Sequence, residues 1–282
     1  VRGLATLPWG LLYALAALVA WLAERVFPYR HTLINHNLRL AFPDASADAL
    51  AQIRYRYYRG FAQMFVELLK GATISADELR RRVTIRNLEV VESYLSAGTP
   101  VLLVAAHQCN WEWMLLAMSL ELGYPLDAAY KPLVDPWADR EMLTLRTRFG
   151  SRLIPAQTLL SDIIQRRAVV RAIAMVADQE PVTSERKHWT RFLNRDTAFF
   201  MGPEEITRAT RYPALFVAMR RLDRGRYEME FLALCAAREA LAPGELTERY
   251  ARLVEAQIRA APADWPWSHQ RWRLKKSLYG SR

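Results

Sequence analysis

The stretch Pro100–Leu120, PVLLVAAHQCNWEWMLLAMSL, decides how the chain reads. Its unbroken apolar run from Val101 to Ala106 is too short for a helix and follows Gly98 and Pro100, so it reads as a strand buried on both faces. His107 ends the run. Asn110 is a good N-cap for a helix over 111–122, which places Glu112 in the first turn. There the helix dipole favours an ionised carboxylate. Open α/β sheets collect ligands and reacting groups where a strand ends and a helix begins, and this seam carries an imidazole and a carboxylate five positions apart.

Working outward, short apolar runs suggest further strands at 83–85, 126–130, 151–154, 173–177, 214–219 and 227–232. Between them, helical periodicity fits a helix from Asp44 or Ser46 to about Leu69, one between Ile85 and Gly98, and others at 136–148, 157–166, 203–211 and 244–260. The segment from Arg25 to Ser46 reads as a polar, basic link. Alternating strands and helices imply an α/β fold with a single mixed sheet flanked by helices.

The chain has 282 residues, with 39 Lys and Arg against 29 Asp and Glu, giving a net charge of +10 and a pI near 9.8. An anionic partner follows from that balance, though not its kind. No helix-turn-helix, zinc or single-strand-binding signature accompanies the charge, so nucleic acid is not expected. A glycine-rich phosphate loop is missing too, and the two cysteines, Cys109 and Cys235, lack metal-ligand spacing, so neither cofactor nor metal is expected. From Gly3 to Ala23 no residue is charged. About 20 apolar residues span a bilayer as a helix, and although Pro8 and Gly10 interrupt the first half, residues 1–27 read as an anchor helix, spanning or half-inserted. The alternative is a buried first helix of the fold. A secretory leader fits poorly, because no small-x-small cleavage site follows. Residues 28–282 read as one catalytic domain.

At the seam, a neutral His107 can take a proton from a hydroxyl while Glu112 holds its tautomer and stabilises the imidazolium. No serine or cysteine nucleophile is needed if the attacking hydroxyl belongs to a substrate. The plainer reading is that both side chains only satisfy the turn. Cys109 reads as filling space there. Asn110, Lys131, Arg146, Arg148, Asp178 and Gln179 are the expected substrate contacts. Arginine's planar fork suits phosphate oxygens, while Asp178 and Gln179 end the run AIAMVA and so approach the same sheet edge as His107. Phe199, Phe200 and Met201 precede a helix and suit either an acyl channel or ordinary core. Trp265, Trp267, Trp272, Arg271, Arg273, Lys275 and Lys276 read as structural or interfacial, and His269 among them has no visible partner.

HQCNWE, with NLRLAFPDAS upstream, AYKPL, RFGSRLIP and ADQEP between, and WPWSHQRWR near the end, resembles the bacterial acyltransferases that add secondary acyl chains to lipid A. These belong to the wider His-x4-Asp/Glu glycerolipid acyltransferase group. The resemblance covers nearly the whole chain and implies that group's fold. It further implies His107 as general base partnered by Glu112, and acyl transfer from a thioester on acyl carrier protein or coenzyme A to a hydroxyl of an anionic glycolipid, the lipid A precursor. No cofactor or metal is implied. The implied place is the bacterial inner membrane, with the catalytic domain on the cytoplasmic side. Other acceptors would use the same chemistry: a lysophospholipid, an aminolipid or a mannosylated lipid. A non-catalytic lipid-binding protein would keep the fold. The family usually has Gly where this chain has Cys109, and often a hydrophobic residue at Gln108.

Overall fold

The structure is a computed structural model, and it describes residues 2–182 and 186–276. In chain order the first elements are α1 (Arg2–Ala5), α2 (Trp9–Trp21), which continues as a wider turn over Leu22–Val26, α3 (His31–Ala41), α4 (Ala47–Gly71) and α5 (Ala76–Arg82). Next come β1 (Val83–Ile85), α6 (Glu89–Ser96), β2 (Val101–Ala105), α7 (Trp111–Glu121), β3 (Leu126–Tyr130), α8 (Pro136–Arg146) and β4 (Arg152–Pro155). The rest are α9 (Leu159–Gln165), β5 (Ala172–Val176), β6 (Lys187–Phe192), β7 (Arg195–Phe200), α10 (Gly202–Thr210), β8 (Ala214–Asp223), β9 (Arg226–Cys235) and α11 (Glu245–Ala260).

Seven strands form one sheet in the order β1-β9-β8-β2-β5-β3-β4. Only β8 and β9 pair antiparallel, so the expected mixed α/β sheet is what forms. β2 sits at its centre with all five residues buried. Leu102 and Val104 face a core built with α2, α4 and α11, while Val101, Leu103 and Ala105 face one built with α5, α6 and α7. Burying a Val or Leu side chain is worth about 1.5–3 kcal/mol, so β2 is a firmly anchored strand whose end can carry a site.

Local chemistry sets the helix starts. Ser46 and Ser75 accept hydrogen bonds from the backbone N–H three residues on, and Asp135 caps α8 just before Pro136. The segment read as a link contains α3, whose Ile34, Leu38 and Ala41 are buried at helical spacing against the first core. α5 and the separate β6–β7 hairpin are also additions to the sequence reading.

The N-terminal helix has two faces. Leu12, Tyr13, Ala16 and Ala20 pack into the core along α4, whereas Leu11, Leu15, Leu18, Val19 and Trp21 are exposed. Residues Trp9–Val26 are long and apolar enough to cross a membrane.

Candidate active site

Because β2 and β5 are adjacent and parallel with Ala105 opposite Val176, His107 and Asp178 each lie two residues past a paired strand end. Strand register therefore brings them together. Nδ1 of His107 is 2.6 Å from Oδ1 of Asp178. The other carboxylate oxygen accepts the His107 backbone N–H at 3.1 Å and the Trp265 indole N–H at 2.9 Å. Asp178 is 1% exposed. Burial pushes its pKa up, but His107 and Trp265 outweigh that and hold it below its ordinary value. An ionised Asp178 fixes the proton on Nδ1 and leaves Nε2 as an acceptor, a tautomer inferred from the bonding. The imidazole is 16% exposed, and the exposed Gln179 amide lies 3.4 Å from Nε2. Trp111 meets the ring edge-on, with centroids 5.1 Å apart.

Glu112 takes a different partner from the one expected. Its carboxylate forms a two-pronged pair with Arg146 of α8, at 2.8 Å to Nε and 2.6 Å to Nη2, and also accepts the Trp111 indole N–H. Among the described residues, no hydrogen bond joins Glu112 to His107. The reason is helical geometry: in the first turn of α7 the side chain at 112 leans toward α8, while the ring of His107 leans across the sheet toward β5. Burial alone would push the Arg146 pKa down, but bonding to Glu112 leaves it raised.

The turn between His107 and α7 is held from several sides. Cys109 sits at φ +55°, the left-handed region that glycine enters freely, and donates its backbone N–H to the Asp264 carbonyl. Cys109 is buried, and burial pushes its thiol well above the ordinary range, which favours the unreactive protonated form. Gln108, also buried, donates to the carbonyls of Gln257 and Ala261 at the end of α11. Asn110 caps α7 through the Trp113 N–H and donates to Glu67 at 2.9 Å. With Asn110 wholly buried and both ends of its amide engaged, it supports the turn and offers no surface to a substrate. Glu67 also accepts from Tyr13 and Tyr227, and burial is the main cause of its raised pKa.

A model of the family described as bacterial lipid A biosynthesis acyltransferase matches residues 1–274. The chain belongs to this family. The family is one of acyltransferases and indicates lipid A acyltransferase activity. No curated protein matches the chain.

In this lipid A acyltransferase the remaining expected contacts separate. Lys131 is exposed just past β3, at the same end of the sheet as His107 but with β5 between it and β2. Arg148 points away and donates to the Gly71 carbonyl at the end of α4. Tyr57, Gly60, Phe61 and Met64 of α4 face Cys109, Trp111, Arg221, Asp264 and Trp265 across a void of about 10 Å³, room for about one water. Sequence reasoning missed Trp265 as the third support of Asp178; no local spacing signals a contact between positions 87 residues apart. Trp267, Trp272 and Arg271 are structural, all buried, and burial pushes the Arg271 guanidinium down to about 10. His269 is partly buried, and burial lowers its pKa. Arg273 and the Leu274 N–H bind Glu180, tying the C-terminal block to the ADQEP loop. Phe199 is core, packed against Phe192 and Tyr250.

Proposed function

We propose that this enzyme moves a fatty acyl chain from an acyl thioester to a hydroxyl of a lipid A precursor, with His107 as general base. Nε2 removes the acceptor hydroxyl proton as the oxygen attacks the thioester carbonyl, and the ionised Asp178 stabilises the imidazolium that forms. The Gln179 amide stands beside Nε2 and donates to the acceptor oxygen. The tetrahedral intermediate then collapses, the C–S bond breaks, and the proton passes from His107 to the departing thiolate. Glu112 acts by anchoring α7 to α8 through Arg146 and so sets Trp111 against the His107 ring.

The observation that carries this reading is the 2.6 Å bond at Nδ1 on an imidazole that is itself 16% exposed. Acyl carrier protein is the proposed donor, because an acidic carrier would be steered by the net charge of +10. The exposed face of α2 is the proposed bilayer contact, and the proposed place is the inner membrane with the catalytic domain on the cytoplasmic side, where an acyl carrier protein donor would reach it. The test is in vitro turnover with acyl carrier protein thioester and a lipid A precursor. Replacing His107 by Ala should remove nearly all turnover while the protein stays folded; near-normal turnover in that variant would overturn the reading.

A further inference from the structure

Two cavities of about 540 Å³ each lie along the junction of α2 and α4, and Arg59 lines both. Of the residues of α2 and its continuation that line them, Gly10, Tyr13, Ala17, Ala20 and Glu24 recur at spacings of three and four and form one stripe, with Trp9, Trp21 and Arg25 beside it. On α4 the matching stripe is Tyr55, Arg59 and Gln63, each four residues from the next. One groove therefore runs between the two helices, with small residues keeping it open.

Its ends differ in charge. Where the β8–β9 turn closes over α2, the first cavity is ringed by Arg59, Arg82, Arg224 and Arg226, with Asp223 the one acid in its lining. Asp223 already accepts the Arg224 backbone N–H at 2.7 Å. Arg82 pairs with Glu78, but Arg59, Arg224 and Arg226 have no carboxylate partner among the described residues. Guanidinium groups gathered in this way fit the oxygens of a phosphate. Beyond them the second cavity is lined by Ala17, Ala20 and the Trp21 and Tyr55 rings, which suit hydrocarbon, and it ends at Glu24 and Arg25, whose opposite charges offset each other.

We propose that this groove binds an anionic phospholipid of the surrounding bilayer, its phosphate among the arginines and an acyl chain along the small residues of α2. The inference rests on the bilayer contact proposed above for α2. The ligand is a bilayer lipid, not the acceptor, because the groove is on the wrong side of α4 for chemistry. Tyr57, Gly60, Phe61 and Met64 instead face Trp111 and Trp265, the side chains that touch His107 and Asp178. With 3.6 residues per turn, those positions point roughly opposite to 55, 59 and 63. The site would hold the enzyme at anionic membrane without entering the reaction.

The test uses the full chain in flotation with phosphatidylcholine vesicles, with and without phosphatidylglycerol. Wild type should bind the anionic vesicles on the order of tenfold better. Two variants separate a site from general attraction: Arg59→Gln/Arg224→Gln/Arg226→Gln removes the charge, while Ala17→Trp fills the groove and keeps it. Both should lose the preference, with unchanged circular dichroism and unchanged turnover on detergent-dispersed acceptor. If Ala17→Trp keeps the full preference, attraction by surface charge explains it and the groove is not the site. A raised KM for the acceptor in detergent would instead assign the phosphate to the substrate and overturn the proposal. Binding to neutral vesicles reads out the α2 contact separately, so loss of binding to both vesicle types in wild type would count against that reading first, and this inference with it.

Discussion

Nδ1 of His107 lies 2.6 Å from Oδ1 of Asp178 because β2 and β5 are parallel neighbours whose ends come level. Asp178→Asn keeps the shape and removes the charge that stabilises an imidazolium. Its kcat should fall by about 10²–10⁴, with little change in KM for the acceptor. Steady-state kinetics on a folded variant checks this, and a change confined to KM would mean that Asp178 binds substrate instead.

Glu112 and Arg146 form a largely buried pair, so removing either leaves a charge without its partner. Glu112→Ala or Arg146→Ala should each cost about 3 kcal/mol of stability. The double variant should cost clearly less than the sum, which unfolding curves of the four proteins would show. Additive losses would mean the pair is not coupled. Turnover should fall in all three variants through displacement of Trp111.

At φ +55°, Cys109 holds a backbone conformation that disfavours side chains, by about 1 kcal/mol for an ordinary residue. Cys109→Gly relieves that strain but gives up the buried thiol and frees the unfolded chain. Its stability should stay within about 1 kcal/mol of wild type, with activity retained. Cys109→Val puts a branched side chain into the same conformation and should lose about 2 kcal/mol or more. Thiol-alkylating reagents should leave the native enzyme active.

How far the seam could be read from sequence follows from the range of each signal. Strand, turn and helix over 100–120 are local patterns, and the apolar run, the Asn110 cap and the position of His107 all appear where they were expected. Asp178 was placed at the right sheet edge, but its bond to His107 depends on which strands are neighbours and on their register, which no local pattern encodes. The His-x4-Glu spacing suggested a direct pair; the directions of a loop side chain and a helix side chain send the two residues to different partners. Ile34, Leu38 and Ala41 of α3 carry helical spacing, but the polar and basic residues between them mask it, so the segment reads as a link. The β6–β7 hairpin alternates too weakly to stand out.

Stability should depend on acid through Asp178. Its folded pKa is below the ordinary 3.8, so the folded state binds fewer protons than the unfolded chain in the window just beneath that value. The stabilisation is fully present above the unfolded pKa and is lost as pH falls through the folded one. Wild type should therefore lose stability faster than Asp178→Asn as pH drops below about 4, measured by thermal unfolding in detergent. Parallel curves would contradict the assignment.

The central claim, acyl transfer to lipid A by a His107 base, is tested most directly by mass spectrometry of lipid A from a Gram-negative host lacking its own late acyltransferases. The host would carry either this protein or its His107→Ala form, with expression of both verified. The account predicts an added acyl-sized mass on lipid A with the first and none with the second. The same added mass with both proteins, or none with either, would contradict it.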